Sequence, residues 1–128
     1  MTVVYATPTK SARMTAVVTA LGTAGKLKLY APDGTTLLAT FTLANPAGTV
    51  SGSVLTLSDA NGAAAGILST TASAAGTAAK ASLTDSLDVV VVTNVLTVGT
   101  TATDIILDNP VLALSQAVQI NTGTITHA

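Results

Sequence analysis

Only a few residues of this chain have side chains suited to catalysis. There is one histidine, His127, with six aspartates, four lysines and one arginine, and there is no glutamate, cysteine or tryptophan. Acid–base and nucleophilic catalysis draw on His, Glu, Asp, Cys, Lys and Tyr held in fixed mutual geometry. A Ser-His-Asp triad would have to use His127, beside the last residue of the chain, where segments are commonly mobile. A solvent-facing tail residue is the expectation there, and no catalytic residue is assigned.

The aspartates raise the question of a hard cation bound by oxygen ligands. Asp85 lies near Asp88, Asp104 near Asp108, and Asp59 precedes Asn61-Gly62. None of these spacings forms a calcium loop, because the closing glutamate is missing. Aspartate is also a preferred turn residue, and turn chemistry is the expected role. Zinc would need His and Cys ligands that the chain lacks. Gly22-Thr23-Ala24-Gly25 follows a helical stretch and precedes a strand, the reverse of a phosphate-cradling order. Neither a metal nor a cofactor is expected.

The elements that would position these residues are built mainly from threonine and alanine. The chain has 24 Thr and 23 Ala among 128 residues, with 48% hydrophobic and 9% charged residues. Its mean hydropathy is +0.63. A soluble domain usually carries about 25% charged residues. So little charge implies a surface solvated by Thr, Ser and Asn, with part of it covered by partners. Homo-oligomers or assembly onto a larger body are therefore expected. The net charge is −1 with no basic stripe, which argues against nucleic acid. No apolar run is long enough for a transmembrane helix, and no membrane partner is expected. The length suits a single domain over 1–128.

Thr7 and Pro8 predict a helix start, with Thr7 as the cap. Met14, Val17, Val18 and Leu21 fall on one helical stripe, with Lys10 and Arg13 off it, and Gly22 predicts the stop. A helix over about residues 8–21 follows, the only one expected. Lys10 and Arg13 before Met14–Leu21 have the outline of a signal peptide, but Thr15 and Thr19 interrupt the apolar stretch and a structural helix is preferred.

The rest predicts strands. Thr2–Tyr5 forms a short starting strand. Lys26–Tyr30 alternates with period two, Pro32-Asp33-Gly34 is turn chemistry, and Leu37, Ala39, Phe41 and Leu43 share a face opposite Thr36, Thr40 and Thr42. This predicts a hairpin of 26–31 against 35–44. Asn45-Pro46-Ala47-Gly48 should break the strand, with a loop to Ser53 and a strand over Val54–Ser58. The Ala-rich stretch 63–81 is expected as loop or irregular strand. Further strands fall at 81–84, 89–99, 103–110 and near the end, around a turn at Asp85–Asp88. The expected fold is an all-β sandwich, jelly-roll or Greek-key-like, carrying one short N-terminal helix.

Val89, Val90, Val91 and Val92 form a run of four consecutive β-branched apolar residues, which places valines on both faces of a strand. Either the helix covers the outer face, or that face meets another subunit. These four valines are the candidate interface.

Three stretches carry a resemblance. They are KSARMTAVVTALGTAGKLKLYAPDGTTLLATFTLA, SGSVLTLSDANGAAAG and TDIILDNPVLALSQAVQINTGTITHA. With this helix, Leu/Tyr hairpin and β-rich tail, the chain resembles small virion structural proteins of tailed bacteriophages and prophages. The resemblance implies a capsid cement or decoration subunit bound to the major capsid protein, or else a tail or head-fibre component, located in the virion. The stretch 63–81 has fewer bulky residues than the resemblance leads one to expect, and no site residue is carried over. A receptor- or carbohydrate-binding module is a further alternative, weakened by the presence of only three aromatics, Tyr5, Tyr30 and Phe41.

Overall fold

The helical stripe and the alternating strands organise the chain as the sequence predicts, with specific departures. The computed structural model describes residues 5–60, 68–99, 105–107 and 110–126. Among these the fold is all-β with one helix, α1 (Thr7–Leu21). The first helical bond runs from the Lys10 N–H to the Ala6 carbonyl at 3.0 Å. Ala6, not Thr7, is therefore the cap, and no side chain closes it. Pro8 still falls in the first turn, where a missing N–H is harmless. Gly22 ends the helix at φ 72°, as expected. Met14 and Leu21 are buried, and Val17 and Val18 pack half-buried against the same core. α1 lies mainly on the long strand that follows the first turn.

The first hairpin joins β1 (Lys26–Tyr30) to β2 (Leu37–Ser51) in antiparallel register, Leu27 opposite Phe41 and Leu29 opposite Ala39. Asp33 builds its turn by accepting the N–H groups of Thr35 and Thr36 at 2.8 and 2.9 Å. The expected break at Asn45–Gly48 does not occur. β2 runs through it to Ser51 and pairs with β3 (Val54–Asp59). Leu43 faces Asp59 while Gly48 faces Leu57, so the intervening residues are accommodated as an irregularity in the ladder. A bulge tolerates a proline that a regular ladder would reject. A loop to Ser53 is likewise replaced by a tight turn, with Ser51 opposite Val54 and Gly52 at φ 60°.

The Ala-rich region, where described, yields short strands: β4 (Leu68–Thr71), β5 (Gly76–Thr77) and β6 (Lys80–Thr84). Then come β7 (Val90–Gly99), β8 (Ile105–Leu107), β9 (Val111–Leu112) and β10 (Ala117–Thr126). The starting strand expected at Thr2–Tyr5 lies outside the described residues except for Tyr5, which is in no strand.

The pairings fall into two sets joined at both sides. The first half of β2 pairs with β1, β1 with β6, and β6 with β7. The end of β2 pairs with β3, β3 with β10, β10 with β8, and β8 with the end of β7. β2 and β7 thus belong to both sets, and each carries a register shift, in β2 between Leu43 and Gly48 and in β7 along its pairing with β6. Strands that change layer through bulges are how the corners of such structures are made. β4 sits beside β10, and β5 pairs with β9 as a separate ribbon. The order β3-β2-β1-β6 is the Greek-key arrangement, since β6 returns beside β1 after a β1-β2-β3 meander.

The core lies inside this circuit and is almost wholly aliphatic. Leu27, Leu29, Leu38, Leu55, Leu57, Leu83 and Ile105 are fully buried, with Phe41 the one aromatic among them.

Candidate functional site

The turn between β6 and β7 is built by two aspartates. The Asp85 carboxylate accepts the N–H groups of Leu87 at 2.8 Å and Val89 at 3.0 Å. The Asp85 N–H donates to the Val89 carbonyl at 3.0 Å, and the Asp88 N–H donates to the Asp85 carbonyl at 3.1 Å. Asp88 adopts φ 63°, the left-handed region that aspartate tolerates better than most residues. Its carboxylate is then drawn onto β1, where one oxygen lies 3.1 Å from Lys26 Nζ and 2.9 Å from Lys28 Nζ. Bonding to these two ammonium groups, Lys28 first, holds the Asp88 carboxyl below its ordinary value.

This turn displays apolar side chains to solvent. Leu87 is 81% exposed, Val89 59% and Val90 55%. Val91 and Val92 instead pack half-buried against the core that includes Met14 and Leu21 of α1. The run of four valines is therefore divided at its middle. The register shows why: Val92 faces Leu83, which points inward, and Val90 faces Thr84, with a ladder irregularity between them. Of the four candidate interface residues, Val89 and Val90 are exposed and Val91 and Val92 are half-buried.

Leu87 was not singled out from the sequence, yet it is the most exposed of the large apolar residues described. The signal was present. A leucine inside the turn sequence Asp85-Ser86-Leu87-Asp88 belongs to no strand face that could bury it. A second exposed pair, Val111 at 58% and Leu114 at 67%, sits on β9 and the turn after it. That turn is tied down by the Gln116 side chain, whose Oε1 accepts the Ala113 N–H at 2.9 Å, and by the Ser115 N–H donating to the Ala72 carbonyl.

The remaining described aspartates have structural partners. Asp33 accepts two backbone N–H groups and the Thr36 hydroxyl, and this bonding pulls its pKa down to about 2. Asp59 is buried and accepts the Ser69 N–H at 2.8 Å, fastening the start of β4 to the end of β3. Among the described residues no three His, Cys, Asp or Glu side chains gather as metal ligands. Asp104, Asp108 and His127 lie outside the described residues. Among the described residues no helix is long and apolar enough to cross a membrane.

No family model, curated protein or solved structure matches this chain.

Proposed function

We propose that the chain is a non-enzymatic structural protein of a tailed-phage virion, a capsid cement or decoration subunit that binds the major capsid protein and other copies of itself. The observation that carries this reading is the hydrogen-bonded turn displaying Leu87, Val89 and Val90 on a chain with few charges. Large exposed apolar side chains close together in the chain at this turn offer apolar area that a partner can cover. Burial of that surface contributes about 25 cal/mol per Å² before the cost of association. Such a contact is weak alone and becomes strong when repeated over a lattice.

A tail or head-fibre component shares the same physical basis, and the test separates the two. Tagged protein is expressed in cells producing phage, and heads and tails are resolved on a gradient. Co-sedimentation with heads is the expected outcome. Co-sedimentation with tails assigns the fibre or tail role. A dilution-stable monomer that joins neither particle removes the virion reading. Leu87→Asp is expected to leave folding intact and to reduce particle binding at least about ten-fold, a typical effect for a central apolar contact.

A further inference from the structure

Lys26 and Lys28 are alternate residues of β1, so they share its outer face. Both lean toward one oxygen of Asp88, a residue 62 positions away from Lys26 along the chain. Opposite them on β6 lie Thr84 and Ser82, both buried although they occupy the outward positions of that strand. Without Asp88 this face would hold two ammonium groups side by side, and the turn would have no tie to β1 among the contacts described above. Asp85 fixes the internal shape of the turn, whereas Asp88 fixes its place on the body.

We propose that Asp88 is an electrostatic strap that holds the 85–89 turn against β1 and thereby sets the display of Leu87, Val89 and Val90. The strap is sensitive to ionic strength. Its Asp88 side chain is 55% exposed, and Lys26 and Lys28 are 29% and 15% exposed, so mobile ions reach the pair from one side. Raised salt loosens the turn while the aliphatic core, indifferent to screening, stays folded. The consequence for assembly rests on the docking role proposed above, but the strap itself does not.

Backbone amide exchange on the isolated full-length chain tests it. Asp88→Asn keeps the size and the tolerance for positive φ while removing the charge. In this variant, exchange at Leu87 and Val89 is expected to rise about three- to five-fold, with Leu29 and Phe41 unchanged, as for an exposed ion pair. Roughly 1 M sodium chloride should produce the same rise in the native chain and no further rise in the variant. The double substitution Lys26→Met with Lys28→Met should reproduce the effect from the other side. Unchanged exchange at Leu87 and Val89 in both variants would overturn the strap, leaving Asp85 as the sole organiser. An equal rise at Leu29 and Phe41 would also overturn it, because the ion pairs would then support the whole fold. A loosened turn in a chain whose particle binding survives Leu87→Asp would keep the strap and reject the docking role.

Discussion

At the scale of single residues, the aspartates and one threonine make the clearest predictions. Asp33 has a folded pKa of about 2 against an ordinary 3.8, because backbone and hydroxyl donors favour its charged form. Its contribution to the turn is therefore complete above about pH 4 and fades as the pH falls through 2. A carboxyl-carbon NMR titration should place the Asp33 midpoint below those of exposed aspartates, and Asp33→Asn should abolish the loss of turn structure on acidification. Thr84 poses the opposite case. Its Oγ1 is buried with no hydrogen-bond partner among the described residues. A buried unsatisfied hydroxyl costs stability that an isosteric methyl does not. Thr84→Val should raise the stability by about 1 kcal/mol, read as a higher denaturant midpoint with an unchanged slope.

At the scale of elements, the bulge in β2 and the stripe on α1 do most of the positioning. A Cβ at Gly48 would collide with the Thr56 carbonyl oxygen and crowd the Leu55 side chain. The backbone of β3 cannot retreat without breaking its pairing to β10. Gly48→Ala should cost more than about 2 kcal/mol in chemical denaturation, of the order seen for overpacked cores. Met14 is 4% exposed and holds the middle of α1 to the core. Met14→Ala should cost about 2–5 kcal/mol, whereas Arg13→Ala, which removes only a guanidinium stacked on exposed Tyr5, should cost well under about 1 kcal/mol.

For the molecule as a whole, the closed circuit of strands makes the two sets of pairings interdependent. Leu55 lies at the seam, opposite Val50 of β2 on one side and Ile125 of β10 on the other, and is fully buried. Leu55→Ala should cost about 2–5 kcal/mol and should still unfold in one transition, with probes in β1 and in β10 changing together. Separate transitions would show that the two sets fold independently. Val111→Ala, on an exposed position, should leave that transition where it was.

Much of this architecture is legible in the sequence because it depends on local rules. The stripe Met14, Val17, Val18, Leu21 and the stop at Gly22 mark a helix and its buried face by local pattern alone. The alternation in Lys26–Tyr30 and Ala39–Leu43, with Pro32-Asp33-Gly34 before the second strand, determines a hairpin and most of its inward face, whereas a register shift buries Leu38 fully and leaves Leu37 half-buried. The scarcity of charge and of catalytic side chains was likewise a property of composition alone. The tertiary structure decided what depends on residues far apart in the chain. It carried β2 through Asn45–Gly48, because pairing with β3 on the far side of a bulge outweighs the local preference of proline and glycine to break a strand. It divided Val89–Val92 into an exposed and a half-buried pair, with a ladder irregularity between Val90, opposite Thr84, and Val92, opposite Leu83. It also brought Asp88 to Lys26 and Lys28, since β6 returns beside β1 and no local pattern encodes that partner.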